Sequence, residues 1–148
     1  MEIKFELDTT SVEKALAKLK GAALLDISEK ALVAGGEVVV AEAKINLENH
    51  GLHDTGDLIN SIQVYNPKPE SCEVGSKGVI YAAAHEFGVT IRPKRAKVLH
   101  WVTKAGDDVF AMKAVLPERA YLRPAIDENK DKILKAMAIT IARLTGAE

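Results

Sequence analysis

From its start the chain alternates. Ile3, Phe5 and Leu7 are apolar while Lys4 and Glu6 are charged, which is the period of a strand with one face buried. Thr10 then precedes Ser11-Val12-Glu13, the spacing of a capping box, in which hydroxyl and glutamate satisfy free amides at a helix start. Val12, Leu16 and Leu19 recur at helical spacing before Gly21, predicting a short N-terminal helix with a glycine stop. A second, longer helix is predicted from Asp26, with Glu29 three positions on, fading over Asn49 to Gly51. Its apolar stripe reads Ile27, Ala31, Ala34, Val38, Ala41 and Ile45 in steps of four and three, widened by Val39 and Ala43. Gly35-Gly36 in its middle costs about 1 kcal/mol per glycine relative to alanine. Close approach of another helix is the expected compensation.

Beyond this helix the elements shorten. Asp54-Thr55-Gly56-Asp57 predicts a turn or cap. Leu58 to Tyr65 reads as a helical turn running into a strand, with Ile62 and Val64 on one face, and Pro67 and Pro69 mark a loop. Cys72 to Gly75 is a short strand, and Gly75 and Gly78 bracket a turn. Val79 to Phe87 reads as a strand end followed by an alanine-rich helix. Thr90 to Arg92 suits a pairing segment that Pro93 breaks. Val98 to Thr103 and Val109 to Met112, joined through Lys104-Ala105-Gly106-Asp107, predict a β-hairpin. Pro124 opens the last helix, whose stripe is Ile126, Ile133, Met137, Ile141 and Leu144. No repeat, low-complexity tract or linker divides residues 1–148. The expected architecture is one α+β domain. A small antiparallel sheet packs against the long helix, with the short N-terminal helix and a C-terminal helix beside it.

Composition narrows the function classes. The 148 residues are 47% hydrophobic and 28% charged, so a packed core is the expectation rather than disorder. The net charge of -1 lacks the basic excess of a protein that coats nucleic acid. One cysteine, Cys72, permits neither an internal disulfide nor a cysteine metal knuckle. No signal peptide is visible, and Ala31 to Ala43 is too short and too charged to span a bilayer. A soluble protein without a membrane partner is expected.

Candidate chemistry is thin. His85-Glu86 lacks the second histidine that a zinc-protease helix carries four positions on, where Val89 stands. His50 and His53 are three apart around Gly51, a loop context with no third ligand attached. Together with His85 they define the rival reading, a small metal-dependent hydrolase. No serine sits in a Gly-x-Ser-x-Gly elbow and no glycine loop has P-loop spacing. Cys72 reads as a small packed side chain. No catalytic, cofactor-binding or metal-ligating residue is expected, and no cofactor. The segment Arg92-Pro93-Lys94-Arg95-Ala96-Lys97 carries four cations, with no acid before Asp107. With Trp101 as a stacking surface, the 92–104 segment could serve a DNA-binding accessory domain. Arginine and tryptophan are also the commonest anchors of protein interfaces. Arg92, Lys94, Arg95, Trp101 and Phe87 are therefore the expected protein interface, and nucleic-acid contact is not the expected role.

Three blocks carry a resemblance. Thr55-Gly56-Asp57-Leu58-Ile59-Asn60-Ser61-Ile62, after Asp54, resembles a TG-x-L-x-x-S-I segment. Tyr81-Ala82-Ala83-Ala84-His85-Glu86-Phe87-Gly88 resembles YA-x-x-x-E-F-G, and Tyr121-Leu122-Arg123-Pro124-Ala125-Ile126 resembles F-L-R-P-A with tyrosine replacing phenylalanine. In this order, between two helices, the blocks are similar to the tail-completion, or neck, proteins of long-tailed bacteriophages, such as the lambda-type minor tail protein Z. The similarity spans residues 25–145. It implies a structural virion protein, phage or prophage encoded, that completes the tail and joins it to the head connector. Expected partners are other head–tail connector and tail proteins and further copies of itself in a ring. The expected location is the virion neck, after synthesis in the bacterial cytoplasm. Thr55, Gly56, Leu58, Ser61, Tyr81, Glu86, Phe87, Gly88, Leu122, Arg123 and Pro124 then have structural roles. Gly56 and Gly88 would permit tight turns, and Leu58, Ile62, Tyr81, Phe87 and Leu122 would tie the sheet to the long helix.

Overall fold

The computed structural model describes residues 2–4, 21–52 and 56–146. The expected N-terminal helix, the strand beyond Lys4, and His53, Asp54 and Thr55 lie outside these residues. In chain order the elements are β1 (Glu2–Lys4), α1 (Ala22–Asn49), α2 (Asp57–Ser61), β2 (Ile62–Lys68), β3 (Ser71–Ser76), α3 (Ala82–Phe87), β4 (Val89–Ile91), β5 (Leu99–Val102), β6 (Asp108–Ala111), β7 (Ala114–Leu116), α4 (Leu122–Asp127) and α5 (Lys130–Thr145). The class is α+β, and β1, β3 and β2 form an antiparallel sheet in that order.

The long helix begins at Ala22 rather than Asp26, with Gly21 ahead of it at φ 76. Asp26 instead lies one turn inside and accepts a hydrogen bond from Lys30 Nζ at 2.7 Å, an i,i+4 pair. The buried residues of α1 are Ile27, Ala31, Leu32, Gly35, Gly36, Val39, Val40, Ala43 and Leu47. From Ala34 onward the predicted stripe is displaced: Ala41 is exposed and Ile45 is 48% exposed. The reason is that α1 packs on two partners at once, α5 along one side and the sheet along the next. The two glycines sit where both come closest. A Cβ on Gly35 would lie 3.0 Å from Met137 Cγ and 3.1 Å from Ile133 Cγ2, both on α5. On Gly36 it would meet Val64 Cγ2 of β2 at 2.9 Å and Cys72 Sγ of β3 at 3.3 Å. The expected helix approach is there, and a sheet approach accompanies it.

The inner face of the sheet is built by period-two positions: Ile62, Cys72 and Val74 are buried, with Val64 packed against them. β2 runs through Pro67, which was expected in a loop. The register shifts between Tyr65 and Lys68, Asn66 adopts φ 45, and β2 is an edge strand. At a bulged edge the missing amide of proline breaks no ladder bond. The short helix α3 stands where expected, without a strand before it. The last helix starts at Leu122, two residues before Pro124, and breaks at Glu128-Asn129 into α4 and α5. Ile133, Met137 and Ile141 are buried as predicted, while Leu144 is exposed.

Candidate functional site

Residues 88–117 leave this body as an arm of two ribbons. β4 pairs with β7 at its base and β5 with β6 beyond. No residue from Phe87 to Ala120 is buried. Large apolar side chains stand in solvent instead, Phe110 at 65% and Met112 at 69% exposed, with Trp101, Val102 and Val115 beside them. Residues opposite one another across a ribbon share a face. The pairs Leu99–Ala111 and Trp101–Val109 therefore make one face and His100–Phe110 and Val102–Asp108 the other. On the second face the His100 ring stacks on Phe110 at 4.6 Å, and its Nε2 lies 2.6 Å from Asp108 Oδ1. A two-stranded ribbon that buries nothing is marginal in water.

Charge divides along the same line. The arm holds six basic side chains (Arg92, Lys94, Arg95, Lys97, Lys104 and Lys113) against Asp107 and Asp108, a net four positive. The rest of the chain is then net five negative, giving the overall -1. Four of the five expected interface residues, Arg92, Lys94, Arg95 and Trp101, lie exposed on the arm.

At the base of the arm lies a buried carboxylate. Glu86 is fully buried in α3. Its Oε2 accepts the backbone amides of Tyr121 at 2.8 Å and Leu122 at 2.9 Å, and its Oε1 accepts that of Arg123 at 3.1 Å. These are free donors at the N-terminus of α4, where a negative charge is favoured by both hydrogen bonding and the helix dipole. Arg123 completes the cluster. Its Nε donates to Glu86 Oε1 at 3.2 Å, and its Nη2 donates to the Glu86 carbonyl at 3.0 Å and to Glu118. The carboxylates of Glu118 and then Glu86 raise the Arg123 pKa. Because Glu118 follows β7, one guanidinium fastens the end of the arm to the capped helix. The start of the arm is held as closely. Gly88 has φ 67, and a Cβ there would lie 2.8 Å from the Glu118 nitrogen, so a side chain is excluded by backbone on both counts. The Arg119 amide donates to the His85 carbonyl at 2.8 Å.

The three sequence blocks meet here and along the sheet. Leu58 and Leu122 are buried in the core. Ser61 Oγ donates to the Leu58 carbonyl at 2.7 Å, which leaves it to accept from Ser76 Oγ at 2.6 Å, joining α2 to β3. Gly56 precedes α2 at φ 74. Two residues expected to tie the sheet to α1 do not: Tyr81 is 42% and Phe87 53% exposed. The six-residue α3 turns only Ala82 and Glu86 inward, and the Glu86 carboxylate occupies the place an apolar anchor would take. Phe87 lies under Arg123, whose guanidinium carbon is 5.2 Å from the ring centroid, a cation–π contact. Two participants carried no sequence signal of their role. Glu118 is five residues from Arg123, outside any helical spacing, and Tyr121 is fully buried with its hydroxyl 3.5 Å from the Ala82 carbonyl. Burial first, and Glu86 second, raise the Tyr121 pKa.

Of the hydrolase reading, His53 lies outside the described residues, and His50 and His85 make other contacts. His50 Nε2 lies 3.1 Å from the Ala120 carbonyl. The His85 ring meets Tyr81 edge-on at 5.8 Å, and burial, with Arg119 adding to it, lowers its pKa below 6.5. Among the described residues no three His, Cys, Asp or Glu side chains converge to hold a metal ion. Cys72 is buried, donates to the Leu32 carbonyl at 3.3 Å, and has its thiol pushed up to about 11 by burial and then Glu73. No helix among the described residues is long and apolar enough to cross a membrane. No protein-family model, curated protein or solved structure matches the chain.

Proposed function

We propose that the protein is a non-enzymatic virion component of a long-tailed phage or prophage. It completes the tail and joins it to the head connector by docking against other head–tail proteins. The observation that carries the docking reading is the arm, which exposes Trp101, Val102, Phe110 and Met112 among cations and buries no residue of its own. Such surface is stabilised only by being covered. The assignment to head–tail joining rests on the three-block resemblance. Two of those blocks meet physically where Glu86 caps α4 and Arg123 reaches Glu118, and that junction holds the arm in place. A ring of such subunits would gain avidity, because each contact after the first is intramolecular.

The test is complementation. With Arg92, Arg95 and Trp101 all replaced by alanine, the purified domain keeps its circular dichroism spectrum and melting temperature, while head–tail joining in an infected or induced host is lost. Joining at the wild-type level would remove the arm from the docking surface.

A further inference from the structure

We propose that the free edge of β5 takes up an extended acidic segment of a different protein as a third strand of the arm. The proposal deepens the docking reading above, rests on it, and names the chemistry of the partner. The Thr103 amide donates to the Asp107 carbonyl at 2.8 Å, which marks a hydrogen-bonded pair of the antiparallel ladder. Bonded and non-bonded pairs alternate along such a ladder. Trp101–Val109 and Leu99–Ala111 are then bonded pairs, and His100–Phe110 and Val102–Asp108 are not. His100 and Val102 therefore turn their amides and carbonyls away from β6. The ribbon has two strands, and among the described residues no other backbone group meets those of His100 or Val102.

An open edge of this kind is ordinarily guarded by proline, lysine or a bulge. β2, an edge strand of the body, has all three: Pro67, Lys68 and the register shift between Tyr65 and Lys68. β5, Leu99 to Val102, has none of them, and its register with β6 is unbroken. Charge selects the occupant. From Arg92 to Gly106 there are five cations and no acid, so β5 lies inside an uninterrupted basic stretch. β6 instead opens on Asp108, directly after Asp107, and these repel an acidic chain; β4 and β7 have only three residues each. In strand addition the main-chain bonds supply affinity, and the side chains around them supply the choice of partner. The arm of a second copy brings the same cations and is repelled, so the added strand belongs to a different protein.

Amide hydrogen exchange read by NMR on the full chain tests this. The probe is a synthetic peptide of alternating glutamate and valine, with its lysine–valine counterpart as control. Expected is that the acidic peptide protects the His100 and Val102 amides, with binding that weakens as salt rises, and that the basic peptide leaves them unprotected. Val102→Pro removes one outward amide without taking a bond from the β5–β6 ladder, and should lower the affinity about tenfold. Val102→Ala keeps that amide and most of the binding. Head–tail joining in an infected or induced host follows the same order. No protection by the acidic peptide at low salt, equal losses from the two substitutions, or binding of duplex DNA in place of the peptide overturns the inference. If Val102→Pro joins at the wild-type level while the Arg92, Arg95 and Trp101 triple still abolishes joining, the docking reading stands and the arm grips its partner by side chains alone.

Discussion

In the body, Val39, Leu47, Ile62, Val74 and Ile133 have lost all contact with solvent, whereas in the arm Phe110 and Met112 keep about two thirds of theirs. Both regions hold large apolar side chains, and their energetic standing differs. Full burial of one such side chain stabilises by about 1.5–3 kcal/mol, and the body collects that many times over. The arm collects little, and a lone ribbon does not supply the difference through backbone hydrogen bonds. The lesson is a division of labour. The body makes the fold, and the arm holds surface whose stabilisation becomes available on contact with something else.

Substitutions can break this division or sharpen it. The largest loss is expected from Glu86→Ala, which leaves the buried Tyr121 and Leu122 amides without an acceptor, while the exposed Arg123 guanidinium keeps Glu118. Each buried donor left unsatisfied costs about 1–3 kcal/mol, measurable by urea unfolding, and a loss below about 1 kcal/mol would show that the body does not depend on this cap. Gly36→Ala comes next. The added methyl meets Val64, a β-branched side chain with little rotamer freedom, and the overpacking outweighs the helix-propensity gain by about 1–2 kcal/mol. Gly35→Ala meets flexible Met137 at 3.0 Å and β-branched Ile133 at 3.1 Å, so it should cost less than Gly36→Ala without being neutral, and equal effects would show that the α5 side yields no more readily than the sheet side.

A smaller effect is expected from pH. His85 binds its proton less well in the folded than in the unfolded chain. The unfolded state therefore takes up more protons as pH falls through the ordinary value of 6.5, and stability declines on the acid side. Melting temperature should drop between pH 7.5 and pH 5.5 (about one unit either side of the ordinary histidine value), and His85→Gln should flatten part of that slope. The smallest effect on folding belongs to the arm. The alanine triple of Arg92, Arg95 and Trp101 should leave stability within about 0.5 kcal/mol; a loss as large as that of Gly36→Ala would mean the arm is part of the fold.

Much of the fold was legible from periodicity. The long helix, the turn into β2, β3, the short alanine-rich helix, the hairpin and the final helix all answer to patterns of three to four or of two, and the glycine pair announced its close neighbours. Ala41 and Ile45 were misplaced because helical spacing reports that a face is apolar but not which neighbour covers it. Pro67 was misplaced because a bulged edge strand tolerates what an inner strand does not. The cluster at the arm base was legible only in pieces. Glu86 and Arg123 stood in separate blocks, and their meeting depends on a chain reversal across the whole arm, which no local spacing encodes. Glu118 and the inward tyrosine at position 121 entered by the same long-range route.

The arm enters and leaves the body at adjacent points, since Val89 is paired with Leu116 and Gly88 lies against Glu118. A segment rooted this way is a graft on a closed stem. Shortening it, lengthening it or exchanging its tip changes little of the loop-closure entropy, which grows only with the logarithm of length. The sequence between residues 92 and 113 can therefore be rewritten while the stem beneath it stays the same.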